Sequence, residues 1–227
     1  MTELLALLRS PRLGAAAVVA NGRLSVAVGL VIASTAVAAV SAARYAADVP
    51  ASSFLYGDTR SPLVTTLIDL LGRDRAAIIA YLIEQVWTAV VVVTALSPLL
   101  VWILGSTAVH AAARLDGARR PFRPTLVLFG YATALTRIPA DGASALLGSG
   151  KTAGAQVAQV IGTACLIWLG IIVWRAIEAH FALTSRRAAI VLGIAIVLFY
   201  LAPLVLILAA FVAILVAAIV LDYVPGL

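Results

Sequence analysis

The sequence predicts an all-α, polytopic helical membrane protein: five transmembrane helices with short interfacial helices, forming a single domain over residues 1–227. Three observations carry this. Apolar residues are 63% of the chain and charged residues 11%, less than half the charged share of soluble domains. Mean hydropathy is +1.11. The apolar residues also fall into long runs, and most arginines lie between them. A soluble core of this size cannot hide so much apolar surface. A β-barrel is excluded by pattern, because barrel strands alternate over about 10 residues and these runs are longer and uniformly apolar. The single cysteine, Cys165, forbids an internal disulfide.

A bilayer core of about 30 Å needs about 20 helical residues to cross it. Thr2 to Arg9 reads as a short Leu-rich helix that Pro11 ends. Its basic residues follow the leucines, the reverse of a secretory signal, so it is expected to lie on the cytoplasmic surface or to pack beneath the spans. The first span, about 24–43, carries no charge and is thin with Gly29, Ser34, Thr35 and many alanines. Small residues let helices approach closely, so this span is expected to pack against protein. Residues 44–75 form the longest polar loop, with four Arg and four Asp. From Pro62 the leucine spacing (Leu63, Leu67, Leu70, Leu71) suggests an interfacial helix, with Asp69 and Arg73 spaced to pair.

The second span is placed at about 85–105, with Pro98 as a kink site. The third, about 124–147, is the least apolar: Arg137, Pro139, Asp141 and Gly142 interrupt it. The fourth is about 153–174. The last run, 188–221, is uncharged, and at the helical rise its length would be about 51 Å. A single crossing kinked at Pro203 is the reading preferred over two half-spans. Ten basic residues fall on the side of the N-terminus and six on the other. That bias places the N-terminus in the cytoplasm and the C-terminus outside a cell membrane crossed five times.

Net charge is +6, but the arginines sit beside spans, where anionic headgroups explain them. Membrane lipid is therefore the expected partner, with other membrane proteins or self-association beside it, and no nucleic acid. Ala145-Leu-Leu-Gly-Ser-Gly150-Lys151-Thr152 fits a relaxed phosphate-loop pattern. It lacks the strand that feeds such loops, so a polar turn is expected and nucleotide is not. His110 and His180 both lie just past span ends and read as interfacial packing rather than metal ligands. No catalytic set, metal site or cofactor site is read. The charges inside or near spans remain, since such groups are costly and often functional. Arg137 and Asp141 stand four apart, Arg175 and Glu178 three apart, and Glu84 lies at the opposite interface. Internal pairing or snorkelling is the plainer reading; a solute or proton path is the alternative. Trp87, Trp102, Trp168 and Trp174 include expected interfacial anchors.

From His110 to about Tyr200 the order of features resembles the Yip domain family, multi-span proteins first known as Ypt/Rab-interacting proteins. The residues that carry it are His110-Ala-Ala-Ala-Arg114-Leu115-Asp116-Gly117, Phe122-Arg123-Pro124-Thr125-Leu126, Gly130-Tyr131 and Ile138-Pro139. After the next span come Trp174, Glu178-Ala179-His180 and Leu183-Thr-Ser-Arg-Arg-Ala188. The likeness covers about 40% of the chain in detail and its whole layout. It implies five spans, a cytoplasmic N-terminus and, for prokaryotic-type members, no settled activity. The acidic-aromatic-Gly-Pro motif of the eukaryotic branch is absent, so GTPase binding is not carried over. The resulting expectation is a non-enzymatic protein of membrane organisation or scaffolding, with a transporter or permease subunit as the alternative.

Overall fold

A computed structural model describes residues 2–55, 66, 76–148 and 152–223. Among the described residues the regular structure is entirely helical: α1 (Thr2–Arg9), α2 (Pro11–Asn21), α3 (Leu24–Asp48), the single turn α4 (Ser52–Leu55), α5 (Ala76–Leu100), a π-helical turn (Val101–Gly105), α6 (Ser106–Leu115), α7 (Phe122–Leu147), α8 (Ala153–Phe181) and α9 (Ser185–Tyr223). The expected interfacial helix from Pro62, with its Asp69–Arg73 pair, lies outside the described residues. Four stretches are long and apolar enough to cross a membrane: Leu24–Asp48, Ala80–Leu115, Ala153–Phe181 and Ser185–Val205. The fifth expected span is helix α7, whose 26 residues would extend about 39 Å. It is long enough but less apolar, because Arg137 and Asp141 lie within it.

Several boundaries differ from the sequence reading. α3 runs past Ala43 to Asp48, because Arg44 is accommodated at the bundle surface and Pro50 lies just beyond. The second span extends beyond 85–105: α5, the π turn and α6 continue one another from Ala76 to Leu115. Its last turns stay helical because Ala108, Val109, Ala112 and Ala113 are buried against neighbouring helices. The fourth span's helix continues past Trp174 to Phe181, and the last run is one helix of 39 residues with Pro203 inside it. α2 has no counterpart in the sequence reading. Pro11 both ends α1 and occupies the first turn of α2, where a missing N–H costs nothing.

The irregular turn after α5 has a chemical cause. Pro98 offers no N–H to the carbonyl one turn earlier, which loosens the ladder. The widened turn that follows exposes the Ile103 carbonyl, and it accepts from Ser106 Oγ (3.0 Å) and Thr107 Oγ1 (2.8 Å). Gly105 in that turn lies against the Phe129 ring; a Cβ there would stand 2.7 Å from Phe129 Cε1.

α7 is the interior post of the bundle. Residues Thr125 and Val127–Ala134 are buried, as are Thr136, Ala140 and Asp141. α3 packs along one side of it and α8 along another; α2, the π turn and α6 close over its first half. α3 meets it with a stripe of mostly small residues, Ala27, Val31, Ser34, Ala38 and Ala42, at helical spacing. The Ser34 and Thr35 hydroxyls donate to Leu30 O and Val31 O (2.8 and 2.9 Å), so neither needs an outside partner. The closest approach is at Gly130, where a Cβ would lie 2.7 Å from Ala27 Cβ and 3.1 Å from Ala27 Cα. α1 and α2 form a hairpin across one end. Gly14 sits so close to the Leu7 backbone that a Cβ would collide with its nitrogen. Leu7, Ala15 and Val18 are thereby driven into the core. α9 packs through Ala188, Val191 and Ala195 and then leaves the bundle: Leu201, Leu204, Val205 and Leu208 are exposed.

Gly130→Ala should lower stability by about 1–3 kcal/mol, the cost of overpacking a tight interface. Gly29→Ala should cost nothing, since no atom lies within 4 Å of its would-be Cβ. Thermal unfolding in detergent measures both; equal effects would contradict the assigned α3–α7 contact.

Candidate functional site

Helical spacing puts Arg137 and Asp141 on one face of α7, one turn apart. Arg137 Nη2 lies 3.1 Å from Asp141 Oδ1. The same nitrogen donates to Ser97 Oγ on α5, the turn before Pro98 and the π turn. Asp141 is 9% exposed. Arg137 is half-buried, about ten residues or roughly 15 Å from the end of α7. The pair is formally neutral and leaves capacity unspent: Arg137 Nε and Asp141 Oδ2 are buried with no hydrogen-bond partner among the described residues. Thr133 Oγ1, one turn earlier, is in the same condition. Thr136 and Ser144 instead donate to Ala132 O (2.8 Å) and Ala140 O (3.2 Å). Chemically, the cluster is a charge pair clamped by a hydroxyl, with one donor and one acceptor to spare.

The other predicted residues lie apart from it. Pro139 is on the exposed side of α7, where its missing N–H leaves the Leu135 carbonyl without the usual helical donor. Glu84 is exposed on α5, thirteen residues from Ser97, about 20 Å along the helix. It therefore does not join Arg137 and Asp141 on a path. Gly130 is the helix-contact point described above. Tyr131 is buried beside it and borders an opening lined also by Glu3, Asn21, Arg23 and Val26.

Arg175, Glu178 and His180 form a second group, where α8 ends and α9 begins. Arg175 Nη1 pairs with Glu178 Oε2 at 2.9 Å, and its guanidinium stacks 4.5 Å over Trp174. Trp174 Nε1 donates to Ser185 O at 3.1 Å, tying the two helices. His180 Nε2 lies 3.1 Å from Pro121 O, fastening α8 to the connection before α7. His110 meets the Phe122 ring edge-on at 5.1 Å and lies 6.2 Å from the Phe181 ring. His110 is thus held by aromatic packing, and His180 by its bond to Pro121 and by the edge of the Phe181 ring at 4.6 Å. Among the described residues no group of three or more His, Cys, Asp or Glu side chains is placed to hold a metal.

At the opposite end Arg44 donates to the Ala145 carbonyl and, at 3.5 Å, to the Leu146 carbonyl. It satisfies two of the last α7 carbonyls that no helix can satisfy itself. Thr152 caps α8, accepting from Ala155 N at 3.1 Å. The phosphate-loop pattern begins in the last turn of α7, not on a strand; residues 149–151 lie outside the described set. Ser97 and Arg44 were not singled out in the sequence. A serine before a proline in an apolar run was the available signal for the first. For Arg44 there was none, since its partner is a distant backbone.

The chain matches no protein-family model, no curated protein and no solved structure.

Replacing one partner of a buried pair leaves the other charge uncompensated, at a cost on the order of 3 kcal/mol. Arg137→Gln and Asp141→Asn should each destabilise the folded protein by about that much, and the double variant by clearly less than the sum. Additive losses in thermal unfolding would show that the two side chains do not interact.

Proposed function

We propose that the chain is a non-enzymatic, Yip-like integral membrane protein that organises membrane or scaffolds a complex through lipid and partner contacts. In this reading it crosses the cell membrane five times, N-terminus in the cytoplasm and C-terminus outside. α7 is the fifth crossing, enclosed by protein where the other four meet lipid. The observation that carries the reading is how the interior charges are spent. Arg137 is paired to Asp141 and bonded to Ser97, and Arg175 is paired to Glu178. The bond to Ser97 ties α7 to α5, and charges paired within their own helix are poorly placed to pass a substrate along. The helix ends support the topology. Arg12, Arg23, Arg114, Arg123, Arg175 and Arg187 lie at the ends of α2, α3, α6, α7, α8 and α9 that gather at one side of the bundle, as a cytoplasmic face requires.

A transporter is the second reading, and one observation favours it: Asp141 Oδ2 and Arg137 Nε are buried and without a hydrogen-bond partner among the described residues, the kind of capacity a proton or solute path uses. Proteoliposomes separate the two. Proton and small-solute flux should not exceed that of empty vesicles. Reproducible flux abolished by Asp141→Asn would overturn the scaffold reading in favour of transport.

A further inference from the structure

Where the α1–α2 hairpin meets the α8–α9 junction, a cleft with about 270 Å³ of room for solvent opens at the basic end of the bundle. Arg12, Arg175, Glu178, Thr184 and Ser185 line its polar side, and Ala179 and Leu183 its apolar side. The charges do not cancel. Glu178 pairs with Arg175 at 2.9 Å, while the exposed Arg12 guanidinium reaches Glu178 only as a more distant charge. Two guanidiniums against one carboxylate leave the cleft a net charge of +1; the Ser185 hydroxyl is bonded to Glu178, so the donors left for a ligand are the Arg12 guanidinium, the remaining N–H groups of Arg175 and the Thr184 hydroxyl. That donor set, with no acceptor left over except a carboxylate already paired, suits the oxygens of a phosphate ester.

The surroundings decide which phosphate. Leu5, Leu8 and Leu13, on the same hairpin as Arg12, are 55%, 51% and 71% exposed. A site for a soluble anion gains nothing from exposed leucines beside it. A site for a headgroup does, because the acyl chains need apolar surface and the hairpin then lies in the interface. We propose that this cleft binds the phosphate of an anionic phospholipid of the cytoplasmic leaflet, between Arg12 and Arg175, with the α1–α2 leucines immersed beside it. The inference rests on the membrane topology proposed above. Binding in detergent is indifferent to orientation, however, so an error in topology and an error in this site are read by different experiments.

The test uses the full-length protein, purified and delipidated in a neutral detergent and monitored by native mass spectrometry. Phosphatidylglycerol should be retained over phosphatidylcholine by the wild-type protein. Arg12→Gln should weaken that retention about fivefold, the effect of one arginine on an anionic headgroup. Arg119→Gln, an exposed arginine at the same end but outside the cleft, should leave it unchanged. Equal losses in the two variants, or no preference of the wild-type protein for phosphatidylglycerol, would overturn the site. Inorganic phosphate should not raise the melting temperature; stabilisation equal to that given by the lipid would assign the cleft to a soluble anion and overturn the lipid.

Discussion

In the proposed five-span topology, a helix bearing an arginine and an aspartate in its length must be walled in by other protein. Hydrocarbon offers no partner to a charge or to a freed carbonyl. α7 carries both burdens, with Arg137 and Asp141 on one side and Pro139 on the other. The remaining helices are arranged accordingly. α3 and α8 take its flanks, α5 supplies Ser97, and α2 and α6 cover the first half. The alanine-rich face of α3 and Gly130 are the steric means to this end, since only small residues let α3 close on α7 so tightly.

Long polar side chains reaching between elements tie helix ends to one another, and at the end of α7 one of them also meets carbonyls the helix cannot satisfy itself. Arg44 serves the last carbonyls of α7, and Trp102 Nε1 donates to Leu126 O at 2.8 Å in its opening turns. Trp174 and His180 make further ties where α8, α9 and the connection to α7 converge. These contacts join elements distant in sequence. The same residues that would be read as interfacial anchors therefore also fix the relative height of the helices.

Much of this was legible in the chain, and what was not has a physical reason. Run length and the absence of charge located four apolar helices, because solvation by hydrocarbon is a property of composition. The spacing of Arg137 with Asp141, and of Arg175 with Glu178, announced both pairs, because a helix makes residues three and four apart neighbours. The low apolarity of 124–147, which made it read as the poorest span, is the signature of its position: a helix surrounded by protein need not be apolar all round. Register between helices was hidden. Nothing local says that Ser97 stands beside Arg137, that Glu84 stands far from both, or that Arg44 reaches the end of α7. The hairpin helix α2 was missed because its order comes from Gly14 against Leu7 and from Val18 in the core, both tertiary contacts.

In the proposed topology α7 is enclosed by protein while the other spans face lipid. Lipid-phase carbene footprinting of the unmodified protein in bilayers, read by peptide mass spectrometry, tests it most directly. Heavy labelling is expected on the exposed faces of α5 and α9, at residues such as Val93 and Val197, and very little across Thr125–Thr136. Labelling of α7 as dense as that of α9 would place it against lipid and refute its enclosure.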